Sequence, residues 1–190
     1  MKPKWTGVFP ACLTHLKRDQ SLDLETTARH FEALIKSGVG GLIVCGSLGE
    51  NQTLAPDEKL AVVRCAVQTA RGRVPVLSGV AESSTRAALN YVRDVAKCGA
   101  SGVMLMPPMS YKGDARETLT YFRSVARGGG LPVMIYNNPI SYGNDITPAM
   151  FAELADEPAF VALKESSGDP RRITEDRKST RLNSSHANIS

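Results

Sequence analysis

Lys164 is the residue whose type and position most directly suggest covalent chemistry. It closes the apolar run 160–163 and precedes the segment Glu-Ser-Ser-Gly at 165–168. A lysine at the end of a buried strand can act as a nucleophile when its pKa falls well below the usual ~10.4, because the neutral amine attacks a ketone and forms an iminium. The alternative is a lysine paired with a neighbouring carboxylate, which is the commoner arrangement for this position alone.

A tyrosine and a glycine-rich loop provide two further candidate groups. Tyr136 ends the apolar run that precedes the Lys164 run, and a phenol there can carry a proton. The loop Gly-Ser-Leu-Gly-Glu at 46–50 can present backbone amides and the Ser47 hydroxyl to an anion such as a carboxylate. Each has an ordinary alternative: a half-buried aromatic ring for Tyr136 and a simple turn for the loop.

Six short apolar runs are the elements that must position these groups. They are rich in Val, Leu, Ile and Met without polar alternation, which is typical of parallel strands buried on both faces. They recur at intervals of roughly thirty residues, the length of one βα unit. The predicted strands are 7–11, 41–45, 74–77, 102–106, 132–136 and 160–163.

The segments between these runs have the periodicity of amphipathic helices. Pro56 suits a first helical turn, Asp114 with Glu117 resembles a capping box, and Thr147-Pro148 reads as a cap followed by a first turn. A sixth helix is predicted to begin near Asp169-Pro170.

The alternation of strands and helices predicts an α/β fold. A doubly wound sheet and a TIM barrel both fit this order, but no G-x-G-x-x-G follows the first strand, and the polar candidates follow strands two, five and six, whose ends meet at the mouth of a barrel. We therefore expect a (β/α)8 TIM barrel with about six of its βα units in 1–175. Residues 176–190 lack apolar periodicity and are predicted to be a tail outside the family pattern, either disordered or derived from cloning.

The composition argues against several classes of partner. The formal charge is +4, and no basic stripe with interleaved aromatics suggests nucleic-acid binding. The four cysteines are widely spaced and do not cluster with the three histidines, so no metal site is expected. No apolar run reaches membrane-spanning length, and we expect a cytoplasmic protein without membrane contact.

Together, the three motifs resemble the dihydrodipicolinate synthase/N-acetylneuraminate lyase superfamily over roughly residues 6–174. The family's glycine-rich loop corresponds to 46–50, its Y-N-x-P to 136–139 and its K-E-x-S/T-G to 164–168. The resemblance implies a TIM barrel, commonly tetrameric, with no cofactor or metal. It implies Lys164 as the imine-forming lysine and Tyr136 as the proton carrier. It also implies that the carboxylate of a 2-oxo acid binds at the loop formed by Ser47, Leu48 and Gly49.

Three positions depart from the pattern of the synthase proper. Leu48 replaces a second hydroxyl residue in the loop. A tyrosine that the synthase lends across a subunit interface to complete a proton relay is matched by Met109, and Tyr111 is a candidate substitute. Ser141 stands at the substrate-binding position of an arginine that holds an aldehyde's carboxylate, and serine cannot reproduce that bidentate fork.

These departures favour a Schiff-base-forming lyase or synthase of a 2-oxo acid or imine over dihydrodipicolinate synthase proper. Aldol cleavage, dehydration and deamination are all open, and the deaminase of 1-pyrroline-4-hydroxy-2-carboxylate is one such activity. A non-catalytic relative stays open as well, since one loop hydroxyl and the interface tyrosine are missing. The 190-residue chain by itself is expected to be inactive, because six strands cannot close an eight-stranded barrel.

Overall fold

Five parallel strands form one sheet in the computed structural model, which describes residue 3 and residues 5–180. Each strand pairs with its neighbour in sequence, so the sheet curves in one direction as the wall of a TIM barrel does. All pairs are parallel because a helix returns the chain after each strand. The strands are β1 Leu42–Val44, β2 Val76–Val80, β3 Gly102–Leu105, β4 Val133–Asn137 and β5 Phe160–Glu165.

The first of the six predicted strands is not a regular strand. Segment 7–11 meets β1 through one isolated parallel bridge between Ala11 and Ile43. Pro10 accepts a hydrogen bond from the Ile43 amide at 3.1 Å but has no N–H to donate, and Gly7 has a φ of +84°. A continuous ladder is therefore interrupted, and the predicted count of six strands is corrected to five within the described residues.

The predicted helices are present, with their predicted starts. Asp114 and Glu117 form the reciprocal capping box, with each carboxylate accepting from the other residue's amide at 2.7 and 3.1 Å. The Thr147 hydroxyl accepts from the Met150 amide at 3.4 Å. The helices are α1 Leu24–Lys36, α2 Pro56–Ala70, α3 Thr85–Lys97, α4 Ala115–Gly129, α5 Pro139–Tyr142, α6 Pro148–Leu154 and α7 Arg171–Thr180.

Two apolar cores lie on opposite faces of the sheet. Alternate side chains of each strand point to opposite faces, so Val103 and Leu105 of β3 pack beneath the helices while Met104 points into the barrel. The inner core contains Ile43, Leu77, Met104, Met106, Met134, Tyr136 and Ala162, together with Trp5. A methyl group on Gly102 would come within 2.5 Å of the Trp5 ring, so this glycine makes room for the indole. The alternation determines which face carries the polar groups at the strand ends.

Helix α7 crosses the position at which the sequence pattern placed the start of a tail. It begins at Arg171 and runs through Thr180, whereas residues 181–190 lie outside the described part of the chain. The nature of segment 176–190 therefore stays a prediction. Within the described residues, no helix combines the length and apolar character needed to cross a membrane.

Candidate active site

The ends of β4 and β5 bring Tyr136 and Lys164 side by side. The two residues are register partners in the parallel pair, and both point into the barrel. The Lys164 Nζ lies 4.2 Å from the centroid of the Tyr136 ring, a distance at which an ammonium group is attracted to an aromatic face. Lys164 is partly buried, and among the described residues no carboxylate forms an ion pair with it. The ion-paired alternative is therefore not the arrangement seen here.

The Tyr136 phenol sits in a polar environment at the end of β4. Asn138 Nδ2 donates to the Tyr136 Oη at 3.1 Å. Burial acts to raise the pKa of Tyr136, but the positive charge of Lys164 and hydrogen bonds with Asn138, Ser166 and Tyr142 together outweigh it, so the pKa lies below its ordinary value. A phenol with a lowered pKa exchanges its proton more readily near neutral pH.

The glycine-rich loop follows β1 and forms a 3₁₀ turn over Ser47–Gly49. The Gly49 amide donates to the Gly46 carbonyl at 3.0 Å, and a methyl group on Gly49 would lie 2.9 Å from the Cys12 carbonyl oxygen. The amides of Ser47 and Leu48 precede the Gly49 amide, which is the first internal donor of the turn, so they are the ones available to an anion. The Gly49 amide serves the turn itself, and the predicted role of Gly49 in substrate binding stays a prediction.

Two predicted residues of the mouth are exposed. The Leu48 side chain is 64% exposed beside Ser47, and Ser141 is exposed on α5. The Ser141 amide donates to Asn138 Oδ1 at 3.1 Å and so closes the first turn of α5. The predicted role of the Ser141 side chain in substrate binding stays a prediction.

Tyr142 is a functional candidate that sequence reasoning missed. Its hydroxyl lies 2.7 Å from the Ser47 Oγ, and its ring meets the Tyr136 ring edge-on, with centroids 5.5 Å apart and an interplanar angle of 87°. Tyr142 comes from the short helix α5, which no periodicity revealed because it has only four residues. The pair of tyrosines in the segment YNNPISY was the available signal.

The candidate relay residue Tyr111 lies elsewhere in this chain. Its side chain is 57% exposed and lines a cavity of about 420 Å³ with Arg116 and Tyr121. Met109 lines a different cavity, also of about 420 Å³, with Lys59 and Glu82. Within the described part of the chain, neither residue reaches Ser47.

A buried network of hydrogen bonds joins the ends of β4 and β5. Glu165 is only 6% exposed, and its carboxylate accepts from Asn137 Nδ2 at 3.0 Å and from the Ser167 amide at 2.7 Å. Asn137 Oδ1 in turn accepts from the Ile146 amide at 3.0 Å. Since Asn137 and Glu165 immediately follow Tyr136 and Lys164, these bonds hold the two candidate catalytic residues in register.

No cluster of three or more His, Cys, Asp or Glu side chains suited to a metal ion occurs among residues 3 and 5–180. The described site therefore consists of a lysine, two phenols, a serine and free amides. These groups suit proton transfer and attack by an amine on a carbonyl carbon.

Fold and site together define a class of protein: a TIM-barrel α/β chain with a lysine–tyrosine pair at the carboxyl ends of adjacent parallel strands. Comparison with known families identifies it further. The profile of the dihydrodipicolinate synthetase family matches residues 4–186, and the chain belongs to that family. The matched range extends past position 176.

Individual relatives agree with this membership. A 4-hydroxy-tetrahydrodipicolinate synthase from Sphingopyxis alaskensis is 33% identical over 177 residues, which cover 93% of this chain and 60% of the relative. An uncharacterized DapA-like lyase from Rhizobium meliloti is 35% identical over 165 residues, covering 87% and 55%. The crystal structure of YagE, a prophage protein of the dihydrodipicolinic acid synthase family from E. coli K12 in complex with pyruvate, superposes with a TM-score of 0.89 at 32% identity. It is covered to 60% of its length, so this chain spans about three fifths of the relatives it matches.

Proposed function

We propose that the protein containing this chain is a Schiff-base-forming lyase or synthase that acts on a 2-oxo acid or a related imine. The observation that carries the proposal is the position of Lys164 Nζ against the face of Tyr136, at the mouth of the barrel. An amine and a phenol at this distance supply the nucleophile and the proton carrier that imine formation requires.

The proposed chemistry begins when the neutral amine of Lys164 attacks the ketone carbon of the substrate. A C–N bond forms, the carbonyl π pair moves to oxygen, and Tyr136 supplies the proton that makes this oxygen a hydroxyl. One proton is lost from nitrogen, the hydroxyl leaves as water after a second protonation, and an iminium remains. The iminium then accepts the electron pair of a bond broken at the neighbouring carbon.

The loop after β1 is the proposed site for the carboxylate of the substrate. The amides of Ser47 and Leu48 and the Ser47 hydroxyl are donors on the same edge of the sheet as Lys164. An anion held there would set the neighbouring ketone carbon towards the amine. The exposed Leu48 side chain adds no donor, so this pocket relies on fewer hydrogen bonds than a loop with two hydroxyl residues.

Dihydrodipicolinate synthase proper is the second candidate activity, because the relative from Sphingopyxis alaskensis bears the name 4-hydroxy-tetrahydrodipicolinate synthase. Ser141 argues against it, since an uncharged side chain there offers no bidentate contact to a second carboxylate. Deamination of 1-pyrroline-4-hydroxy-2-carboxylate is one activity that places no such demand on this position. A cytoplasmic homo-oligomer, tetrameric as the resemblance implies, remains the expected form of the whole protein.

Borohydride trapping tests the proposal. The protein encoded by the full reading frame is incubated with pyruvate, reduced and digested, and the modified lysine is mapped by mass spectrometry. We expect the adduct on Lys164, its loss in Lys164→Ala, and its retention in the matched control Lys112→Ala, because Lys112 is an exposed lysine in the loop between β3 and α4. An adduct confined to other lysines, or none with any 2-oxo acid tried, would falsify the assignment.

A further inference from the structure

Tyr142 occupies a position between the interior of the barrel and solvent. Helix α5 runs from Pro139 to Tyr142 and is followed by its C-cap residue Gly143, whose φ of +72° turns the chain away again. This single turn of helix carries Tyr142 back over the end of β4. Its hydroxyl meets Ser47, 95 positions earlier in the chain, at 2.7 Å.

Tyr142 contacts both Tyr136 and Ser47. On one side its ring packs edge-on against Tyr136, which lies under Lys164 Nζ, and its hydroxyl is one of the hydrogen-bonding groups that lower the pKa of Tyr136. On the other side its hydroxyl shares a hydrogen bond with Ser47, which is exposed. No direct hydrogen bond joins Tyr136 to Ser47 within the described residues. The Tyr136 phenol also has a hydrogen bond with the Ser166 side chain, so Tyr142 is the hydroxyl that provides the route from Tyr136 to Ser47.

The acid–base properties of the two phenols differ in the direction that a relay needs. Burial raises the pKa of Tyr142 to about 12, and its hydrogen bond to Ser47 opposes this only in part. Tyr142 thus stays protonated near neutral pH and passes a proton by accepting one while donating another. Tyr136, with its lowered pKa, is the group that gives up its proton at the reacting centre.

The other tyrosines of this chain are engaged elsewhere. The sequence contains five tyrosines, all among the described residues. The Tyr91 hydroxyl bonds to Ser78 at 2.8 Å in the outer core, and Tyr121 packs edge-on against Phe122. Tyr111 is largely exposed and lines a separate cavity. Tyr142 is therefore the phenol that this chain itself presents to Ser47 and Tyr136.

We propose that Tyr142 is a proton-relay residue that links Tyr136 to Ser47 within one chain and acts on the substrate through Tyr136. The proposal rests on the imine chemistry proposed above. In imine formation, Tyr136 gives its proton to the carbonyl oxygen of the substrate, Tyr142 reprotonates Tyr136, Ser47 reprotonates Tyr142, and solvent reprotonates Ser47. The reverse sequence carries a proton outward when the iminium loses a proton from its neighbouring carbon. No tyrosine from a second subunit is required.

Exchange of the methyl protons of pyruvate in D2O measures this relay directly. The reaction requires the iminium to lose and regain a proton at carbon, and proton NMR follows the loss of the methyl signal. We expect Tyr142→Phe, which keeps the ring and removes only the hydroxyl, to slow maximal exchange by roughly a hundredfold, the lower end of the range for one acid–base group. The pyruvate concentration at half-maximal rate should change by less than about threefold, because no substrate contact is removed.

Two further measurements separate a relay from a merely structural role. In Tyr142→Phe the alkaline inflection of the exchange rate should move to higher pH, since the Tyr142 hydroxyl helps to lower the pKa of Tyr136. The double variant Ser47→Ala with Tyr142→Phe should exchange protons almost as fast as the slower of the two single variants, because the effects of residues in one relay are not additive. The matched control Tyr111→Phe should exchange within about twofold of the unsubstituted protein, since it removes a hydroxyl outside the relay.

The outcomes distinguish this inference from the function on which it rests. If the unsubstituted protein forms no Lys164 adduct and exchanges no protons, the proposed function fails and the relay fails with it. If the adduct forms but Tyr142→Phe exchanges as fast as the unsubstituted protein, the relay alone is refuted. A slow Tyr111→Phe beside a normal Tyr142→Phe would assign the role to Tyr111 instead.

Discussion

Replacing Asn137 with alanine is expected to weaken the support beneath the candidate catalytic pair. The buried carboxamide donates from Nδ2 to Glu165 at 3.0 Å and to Asp145 Oδ1 at 3.2 Å, and its Oδ1 accepts from the Ile146 amide at 3.0 Å. Alanine removes these bonds, together with a second bond from Nδ2 to Glu165 at 3.3 Å, and leaves the backbone of β4 in place. The perturbation therefore acts on the side chains that join β4, β5 and the segment before α6.

The environment of each lost bond sets the size of the effect. Glu165 is nearly inaccessible to water, so no water molecule replaces the lost hydrogen bond from Asn137. This loss lowers the free energy of unfolding by about 1.5–3 kcal/mol, the value for a charged acceptor. A buried amide left without a partner, as at Ile146, costs about 1–3 kcal/mol. Asp145 is 40% exposed and keeps its ion pair with Arg172 at 2.9 Å. Losing the hydrogen bond from Asn137 to Asp145 therefore lowers the free energy of unfolding only slightly. We expect the free energy of unfolding to fall by about 3–5 kcal/mol and Tm to fall by roughly 6–15 °C.

Thermal unfolding of the full reading-frame protein, followed by circular dichroism, measures this change. Asn90→Ala is the matched control, because Asn90 is exposed on α3 and alanine is the better helix former there. The control should shift Tm by less than about 2 °C. A Tm of Asn137→Ala that matches the control would refute the idea that the network holds β4 and β5 together. A normal Tm with strongly impaired trapping of Lys164 would instead assign Asn137 to the chemistry.

Two further predictions follow from the site and from the extent of the chain. The full protein should condense pyruvate with aspartate semialdehyde poorly, and Ser141→Arg should improve that reaction by roughly ten- to a hundredfold in kcat/KM, the value of one charge-assisted contact; efficient condensation by the unsubstituted protein would contradict this. The 190-residue chain expressed alone should associate and trap pyruvate weakly, because five parallel strands leave sheet edges open, and β5 has no outer partner among the described residues. A monodisperse monomer in light scattering, with one sharp melting transition and efficient trapping, would show that reasoning to be wrong.

Much of the fold could be predicted from local sequence signals. Asp114 with Glu117 predicted the start of α4 because a capping box requires only residues three apart. The apolar runs without alternation predicted parallel strands, since a strand covered on both faces has no polar side. The three motifs at 46–50, 136–139 and 164–168 identified the family because each combines residue types that backbone geometry and chemistry restrict.

Segment 7–11 is the predicted strand that does not form, and the cause is local and independent of its apolar pattern. Segment 7–11 is as apolar as the true strands, yet Pro10 lacks the N–H that a ladder needs and Gly7 takes a positive φ. The hydrophobic pattern predicts a buried strand, and this segment does lie beside β1 through the Ala11–Ile43 bridge, but its Val8 side chain is 62% exposed. The pattern does not report whether backbone donors are present at each position.

The composition of the site depended on contacts between residues distant in sequence. The Ser47 and Tyr142 hydroxyls meet only because the barrel brings the end of β1 and helix α5 to one rim. Glu165 and Asn137 share hydrogen bonds because β4 and β5 align in a register that no local pattern specifies. The sequence by itself determined the family and the approximate ends of the strands. It also singled out Lys164 and Tyr136 as candidate catalytic residues. Only the tertiary structure decided that Tyr142, rather than Tyr111 or Met109, lies against Ser47, because the curvature of the sheet sets which side chains at its rim can touch.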